Sequence, residues 1–263
     1  MKKKAIAIGC HPDDIEFMMV GTLINLRDAG YEIHYINVAN GSCGTNRHDR
    51  ETIIGIRREE SIAATKLIGA TYHESLADDI EVLYELKTLR GLTAVVREVA
   101  PEIILTHYPY EYMEDHSNTC RLAVSAAFCR GMVPFYSTPE QKVTEQDVTV
   151  YHTIPYGLCD QLRRKVKGEI YVDVSETIET KKAMLSCHKS QKQWLDDSQG
   201  MDSYLVNMTD MCASIAKLYG NFKFAEAWIR HNYRGFCAPN ADPLTAALGA
   251  KAVIDPSFEA SLG

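Results

Sequence analysis

The first 131 residues alternate between short apolar runs and longer amphipathic stretches, and this alternation constrains the fold more than any other feature. Strands are predicted at about 4–10, 31–39, 71–75 and 103–106, and helices at about 16–29, 51–68, 82–99 and 117–131. Such a rhythm predicts a parallel sheet with right-handed crossovers and helices on both faces. We therefore expect one α/β domain with a Rossmann-like, mostly parallel sheet.

The second half of the chain is less regular. Strands are predicted at about 148–153 and 170–174, helices at about 176–193 and 202–219, and the Ala-Glu-Ala within Phe224–Arg230 favours another helix. The tail from Ala238 to Gly263 is rich in Ala, Pro and Asp and lacks a clear amphipathic period. We expect residues 1–237 to form the domain, elaborated toward its C-terminal end. The tail 238–263 is expected to pack on a neighbouring subunit of a homo-oligomer.

Composition argues against several classes of partner and location. The formal net charge of −7 disfavours nucleic acid and anionic membrane surfaces, because both need a basic partner. No stretch approaches the roughly 20 apolar residues of a membrane span. The apolar run after the N-terminal lysines ends at Cys10, too soon for a secretory signal, and the eight cysteines include no Cys-x-x-Cys pair. We expect a reduced, cytoplasmic protein.

Four residues, His11-Pro12-Asp13-Asp14, follow the first predicted strand directly. Open parallel sheets bind their ligands at the carboxyl ends of the strands. A neutral imidazole and one carboxylate can bind Zn²⁺, and the neighbouring carboxylate then remains free as a general base toward a water molecule. A plain helix start, with Asp as cap and Pro in the first turn, is the alternative. It explains one Asp but not the whole cluster.

The loop after the fourth predicted strand contains the best candidate for a third metal ligand, His116. This loop leaves the sheet at the same edge as His11. His11, Asp14 and His116 would form a His₂-carboxylate set with one open position, as in catalytic zinc sites, although other divalent transition metals also suit such a set. Asp13 is then the general base, and Asp115 is placed to hydrogen-bond a ring nitrogen or to orient the base.

These motifs resemble the LmbE-like (PIG-L) family of zinc-dependent deacetylases, which act on N-acetylated sugars. His11–Asp14 matches the family's His-Pro-Asp-Asp, and Asp115-His116 matches the end of its His-Pro-Asp-His. Four further segments are similar: Gly21–Leu23, Ile56–Glu60, His188–Gln191 and Phe224–Ala227. The resemblance runs from residue 4 to about residue 230. It implies zinc on His11, Asp14 and His116, Asp13 as the base, and Arg57 facing the substrate.

Met113 is the main departure from the family pattern, which usually has a His at this position, three residues before the zinc-binding His. That His is assigned to protonating the leaving group or stabilising the oxyanion, and a thioether can do neither at neutral pH. His188 and His152 are the preferred candidates to supply this function, and Tyr112 and Arg57 are the alternatives. We expect Met113, Tyr112 and Arg57 to line the substrate site.

The expected activity is hydrolysis of an N-acyl group, in the first instance acetyl, from an amino sugar such as N-acetylglucosamine or from a glycoside-like small molecule. A hydratase or lyase on the same fold is the alternative, and Met113 is the feature that favours it. A metal-containing binding protein without turnover is disfavoured, because the expected site keeps an open coordination position and a free carboxylate. Nucleotide binding is disfavoured as well, because no Gly-x-Gly-x-x-Gly follows the first strand.

Overall fold

A computed structural model describes residues 2–199, 204–219 and 222–261. Its centre is an eight-stranded sheet in the order β3-β2-β1-β4-β5-β7-β6-β8. The strands are β1 Lys4–Gly9, β2 Glu32–Asn37, β3 Thr71–His73, β4 Ile103–Thr106, β5 Thr149–Thr153, β6 Ile170–Asp173, β7 Ala225–Arg230 and β8 Ala252–Ile254. The strands from β3 to β5 in this order are parallel, whereas β7 and β8 pair antiparallel with their neighbours. The expected mostly parallel α/β sheet is confirmed.

Helices cover both faces of the sheet. They are α1 Asp14–Met18, α2 Val20–Asp28, α3 Arg50–Lys66, α4 Leu86–Val99, α5 Glu114–Cys129, α6 Ile178–Leu185, α7 Lys189–Gln199, α8 Tyr204–Leu218, α9 Pro243–Leu248 and α10 Pro256–Ser261. Side chains alternate along β1, so that Ala5 and Ala7 join one core cluster while Ile6 and Ile8 join the other. This period of two, with both faces buried, is what a central parallel strand requires.

The single helix predicted at 16–29 is two helices, α1 and α2, which meet at Met19. The first backbone N–H groups of α2, those of Gly21 and Thr22, donate to the two carboxylate oxygens of Glu226 at 2.8 and 2.7 Å. A Cβ on Gly21 would lie 2.5 Å from Val174 Cγ1, so only glycine fits at this close approach. The break therefore lets Glu226 cap α2 from within the core.

The helix prediction for Phe224–Arg230 is wrong. Residues Ala225–Arg230 form β7, which lies between β5 and β6 and pairs antiparallel with both. Ala and Glu favour helices, but Ala225, Ala227 and Trp228 are fully buried here, and a central strand buries both of its faces. Tertiary packing outweighs the local helix preference in this segment.

The C-terminal tail packs on its own chain. Strand β8 pairs with β6, and Leu244 and Leu248 of α9 join the main hydrophobic core. The carboxylate of Asp242 accepts a hydrogen bond from the hydroxyl of Tyr151 at 2.8 Å. The tail thus shares the core of the domain, and its packing on a neighbouring subunit stays a prediction. Within the described part of the chain, no helix has the length and apolar character needed to cross a membrane.

Candidate metal centre and active site

The candidate site lies where β1 and β4 end. The two strands are adjacent and parallel, with Ile8 opposite Thr106, so the segments that follow them begin side by side. His11 lies in the turn after β1, Asp14 begins α1, and His116 lies in the first turn of α5. The pairing of β1 with β4 thereby brings together residues that are about a hundred positions apart in the chain.

His11, Asp14 and His116 direct three ligand atoms at one point. His11 Nδ1 lies 3.2 Å from His116 Nε2 and 3.5 Å from Asp14 Oδ2, and His116 Nε2 lies 3.3 Å from Asp14 Oδ2. Two ligand atoms of a tetrahedral Zn²⁺ with bonds near 2.0–2.1 Å are separated by about 3.4 Å. The three separations therefore fit three ligands of a tetrahedral metal ion.

His107 also belongs to this cluster, since its Nε2 lies 3.4 Å from Asp14 Oδ2. The same nitrogen accepts a hydrogen bond from the backbone N–H of Cys10 at 2.8 Å. A nitrogen that accepts this bond has its lone pair occupied. In this arrangement His107 orients the backbone that carries His11, and His11 is the better third ligand.

A carboxylate behind the cluster orients the imidazole of His11, and a second one lies near that of His116. The Nε2–H of His11 donates to Asp115 Oδ2 at 3.1 Å, which leaves the lone pair of Nδ1 for an ion. Asp115 also accepts a hydrogen bond from the backbone N–H of Ile80 at 2.7 Å. Glu111 Oε2 lies 3.9 Å from Nδ1 of His116. Such outer carboxylates fix the tautomer and the orientation of metal-binding histidines.

The charge of Asp14 suits a metal ligand. Burial acts to raise the pKa of Asp14, but His116, His107 and His11 around the carboxylate hold this pKa well below its usual range. Asp14 also accepts a hydrogen bond from the backbone N–H of His11 at 2.7 Å. The carboxylate is therefore ionised at neutral pH, as metal binding requires.

Asp13 has a different environment from its neighbour Asp14. The hydroxyl of Tyr204 donates a hydrogen bond to Oδ2 of Asp13, and Nη2 of Arg57 lies 3.6 Å from Oδ1. Burial raises the pKa of Asp13 to about 6, with Arg57 lowering it and Asp14 raising it further. A carboxylate with a raised pKa beside three metal-ligand atoms has the properties of a general base.

The metal-ligand atoms and Asp13 open into a cleft of about 540 Å³. Seven residues predicted for the site line it: His11, Asp13, Asp14, Arg57, Tyr112, Met113 and His116. Asp115 lies directly behind His11. Arg57 is only 2% exposed and donates to the carbonyl of Pro12, so its guanidinium supports the turn that holds Asp13.

The structure places His188 and His152 inside the protein, and neither lines the cleft. His188 is fully buried behind Asp13, with Nε2 3.4 Å from Glu16 Oε1. His152 lies within β5, where its Nδ1–H donates to the carbonyl of His107 at 2.9 Å and its Nε2 lies 3.0 Å from His231 Nδ1. Burial lowers the pKa of His152 to about 4. Tyr112 is the candidate donor that the structure brings to the cleft.

Several residues of the cleft were not predicted from the sequence. The set comprises Phe17, Met18, Cys43, Gly44, Asp79, Ile80, His107, Glu111, Tyr156, Gln191, Trp194, Leu195 and Tyr204. Glu111 carried a recognisable signal, because it is an acidic residue on the loop that supplies Asp115 and His116. Tyr204 carried none, since it reaches Asp13 from a helix about 190 positions further along the chain.

The chain is similar to several known proteins. Residues 6–127 match the sequence model of the family described as PIG-L, GlcNAc-PI de-N-acetylase. The chain is 27% identical over 201 residues to diacetylchitobiose deacetylase of Thermococcus kodakarensis, and this alignment covers 72% of this chain and 70% of the relative. It is 24% identical over 201 residues to 4-oxalmesaconate hydratase of Pseudomonas putida, over 73% of this chain and 75% of the relative.

A solved structure shares the fold. The crystallised N,N'-diacetylchitobiose deacetylase from Pyrococcus horikoshii superimposes with a TM-score of 0.71 at 20% identity, over 88% of this chain and 84% of that one. The matched segment 6–127 includes the whole cluster formed by His11, Asp14, His107 and His116. Residues 6–127 of this chain are therefore similar to the PIG-L family, and the rest of the chain shares the fold of its solved relative.

Proposed function

We propose that this protein is a metal-dependent amide hydrolase that removes an N-acyl group, in the first instance acetyl, from an amino sugar such as N-acetylglucosamine or a glycoside of it. One observation carries the proposal. Three ligand atoms stand 3.2–3.5 Å apart at the edge of the cleft, and the carboxylate of Asp13 follows directly along the same turn. The relatives named as deacetylases support the same reaction.

We propose Zn²⁺ as the metal, held by His11, Asp14 and His116. Two imidazoles and one carboxylate with a fourth position open is the pattern of hydrolytic zinc sites. When bound there, the ion supplies Lewis-acid chemistry, which polarises the acyl carbonyl and makes water a better nucleophile near neutral pH. In the neutral ring of His11, the hydrogen bond to Asp115 places the proton on Nε2, so that Nδ1 is the nitrogen offered to the metal.

Asp13 takes the proton from the attacking water in this proposal. The Tyr204 hydroxyl occupies Oδ2, so we assign the accepting role to Oδ1. Arg57, 3.6 Å from Oδ1, holds the carboxylate in place and favours its ionised form. Tyr204 and Arg57 thus fix Asp13 from two sides.

Tyr112 is the proposed donor that replaces the family His at Met113. Its ring lies 5.4 Å from the ring of His116, at the wall of the cleft. Burial, followed by the charges of Asp14 and Glu111, raises the pKa of Tyr112 above its usual value. The hydroxyl therefore stays protonated and can donate to the oxyanion or to the departing amine.

The hydratase alternative is favoured by Met113 and by the Pseudomonas relative, but the charge of the cleft argues against it. An unsaturated acid brings carboxylates, and beyond the one position open at the proposed metal each of them needs a cation or several N–H donors. Among the described residues that line the cleft, Arg57 is the one Lys or Arg side chain, and it is buried against Asp13 and Pro12. Acidic groups dominate the rest of the charged lining.

Acetate release from a panel of N-acetyl amino sugars tests the proposal, with absorbance loss of unsaturated acids measured in parallel. We expect Asp13→Asn to keep the metal but to lower kcat by about two to four decades, the usual contribution of a positioned general base. Asp28→Asn, on the exposed end of α2, is the matched control and should match the wild type. Turnover of the acids without acetate release would establish the hydratase instead. Full metal content in both His11→Ala and His116→Ala would exclude the proposed ligand set.

We further propose that the protein works in the cytoplasm as a homo-oligomer. All eight cysteines are free, which suits a reducing compartment. Val133 and Tyr136 expose large apolar side chains on the surface, as subunit contacts do before assembly. Sedimentation of the full chain tests the assembly, and a monomer at micromolar concentration would contradict it.

A further inference from the structure

Four aromatic rings form a continuous row along the cleft, which we call the aromatic arc: Tyr112, Tyr156, Phe17 and Tyr204. Successive ring centroids are 5.9, 5.5 and 5.9 Å apart. These spacings fall within the range of favourable tilted and edge-to-face ring pairs. Contacts between successive rings therefore hold the arc together as one aromatic surface.

The two ends of the aromatic arc meet the chemistry. At one end, the ring of Tyr112 stands edge-on to His116, with centroids 5.4 Å apart. At the other end, the hydroxyl of Tyr204 donates to Asp13. A ligand group that lies along the arc would thus be adjacent to the proposed metal ligand His116 and to Asp13. Apolar side chains of Met18, Met113, Trp194 and Leu195 complete the wall.

The outer half of the arc faces solvent. Tyr112 is 58% exposed and Tyr156 is 40% exposed, although their rings are in mutual contact. Contiguous aromatic surface left open to water beside a cleft is typical of a binding site. The cleft volume of about 540 Å³ lies within the range of sites that enclose drug-sized molecules, about 300–1,000 Å³. The site has room for more than a small acyl group.

The charged groups of the cleft disfavour a ligand that carries a negative charge. Arg57 is the one Lys or Arg side chain among the described residues that line the cleft. It is only 2% exposed and contacts Asp13 and the carbonyl of Pro12, so it is not available to a ligand anion. Asp13, Asp14, Asp79 and Glu111 are all acidic. Away from the proposed metal, a phosphate or carboxylate on the substrate would therefore meet acidic groups and no available Lys or Arg among the described lining residues.

We propose that the substrate is an uncharged N-acyl amino sugar that carries an apolar group, aryl or alkyl, and that the aromatic arc binds this group. The inference rests on the proposed function and specifies its substrate class. The apolar group can be attached on the glycosidic side or form part of the acyl chain. Both attachments present the same chemistry to the arc, and the experiment separates them.

Two matched substrate pairs test the proposal with the metal-loaded enzyme. The phenyl and methyl β-glycosides of N-acetylglucosamine differ only on the glycosidic side. The N-phenylacetyl and N-acetyl forms of methyl β-glucosaminide differ only on the acyl side, and their methylene spacer keeps the amide reactivity similar. We expect kcat/KM to favour the phenyl member of one pair by about tenfold or more, as burial of much of a phenyl ring predicts.

Variants connect this ratio to the arc. Tyr156→Ala should bring the ratio close to one, while Tyr156→Phe, which keeps the ring, should preserve it. Tyr110→Ala is the matched control, because Tyr110 is 60% exposed on a neighbouring loop and does not line the cleft. Its ratio should equal that of the wild type. Loss of the preference in Tyr110→Ala as well would show that the arc is not its source.

A binding measurement separates failure of this inference from failure of the proposed function. Phenyl and methyl β-glucosaminide have no amide, so calorimetry reports their affinities without turnover. Tighter binding of the phenyl form that depends on Tyr156 supports the arc even if no acyl sugar is hydrolysed, a result that would overturn the deacetylase proposal alone. Acyl release with equal kcat/KM in both pairs, together with equal affinities, overturns the inference and leaves the deacetylase intact.

Discussion

Asp13 has a backbone φ of 112°, in the left-handed region that non-glycine residues rarely adopt. Strained backbone of this kind concentrates at functional sites, where the surrounding structure holds it. Here the Tyr204 hydroxyl and the Arg57 guanidinium hold the side chain. Asn tolerates the left-handed region better than most residues, so Asp13→Asn removes the base while disturbing the turn least.

The hydroxyl of Tyr112 is the proposed donor to the oxyanion or to the departing amine. We expect Tyr112→Phe to lower kcat for acetate release by about 10²-fold, close to the loss of one oxyanion donor, with metal content unchanged. Met113→His in the Tyr112→Phe background should recover part of this loss, because it restores the family's imidazole. Tyr110→Phe serves as control. An unchanged kcat in Tyr112→Phe would leave the oxyanion to the metal alone.

The sequence was most informative where side chains follow strands directly. His11, Asp14 and His116 could be grouped because parallel strands end at a common edge. The same reasoning gave no way to place His152, which lies inside β5 opposite Thr106 rather than beyond the strand end. Whether a histidine near a strand end enters the cleft depends on the register between neighbouring strands. A shift of one residue reverses the side to which the histidine points, and local sequence patterns do not report such a shift.

At the scale of elements, the Ala-Glu-Ala segment has a structural explanation. Glu226 on β7 accepts from the first backbone N–H groups of α2 and pairs with the fully buried Lys181 of α6. Burial acts to lower the pKa of Lys181, but its neighbours, Glu226 among them, raise this pKa, so Lys181 is protonated where it contacts Glu226. This contact ties α2, α6 and β7 together inside the core.

We expect Lys181→Met to lower the free energy of unfolding by about 3–5 kcal/mol, because it leaves the Glu226 carboxylate buried and uncompensated. The double variant Lys181→Met/Glu226→Gln should lose less than the sum of the two single losses. Urea denaturation measures both effects. Lys182→Met, one position along the same helix and partly exposed, is the control. A loss below about 1 kcal/mol in Lys181→Met would show that the pair is not ionic.

Sequence patterns predicted the parallel strands of the sheet but not the antiparallel strand β7, because they report only local preferences. Each of the first four predicted strands was followed by a helix with its own periodicity, and these local signals agreed with the fold. Strand β7 has helix-favouring residues and is specified only by its partners Thr153 and Ile170 on either side. Contacts between distant segments decide such a strand, and local propensity does not report them.

At the scale of the whole molecule, buried His152 makes global stability depend on pH. Its ring contacts His231 Nδ1, Cys120 Sγ and the carbonyl of His107. Burial first, and His231 to a smaller extent, lower the pKa of His152 to about 4 in the folded state, while the backbone hydrogen bond opposes the shift. Between about pH 6.5, the ordinary value, and pH 4, the unfolded chain binds a proton that the folded chain does not.

Stability from this group is complete above pH 6.5 and is lost as the pH falls toward 4, by up to about 1.4 kcal/mol per unit. We therefore expect His152→Gln to be less stable than the wild type at pH 7 but to show a shallower decline on acidification. Urea denaturation at several pH values measures the slope. His48→Gln changes an exposed histidine and should retain the wild-type slope. Equal slopes in all three proteins would remove His152 as the cause.

The tail shows what chain-wide packing adds to local pattern. Residues Ala238–Gly263 lack a periodic apolar face, yet Leu244 and Leu248 fill the core and β8 extends the sheet. Two apolar residues four positions apart on a six-residue helix are too few to stand out in a sequence. Their burial depends on the space that the preceding 237 residues leave open.

The metal-ligand atoms and Asp13 all come from residues 11–116, inside the segment shared with the family, whereas Tyr156, Trp194, Leu195 and Tyr204 come from later parts of the chain. The wall of the cleft is thus assembled from both parts of the chain, because Phe17, Met18, Tyr112 and Met113 lie before residue 127. A substitution at Tyr156, Trp194 or Leu195 can therefore reshape one side of the cleft without replacing any of the three proposed ligand atoms. Tyr204 differs from these three residues, because its hydroxyl also holds Asp13.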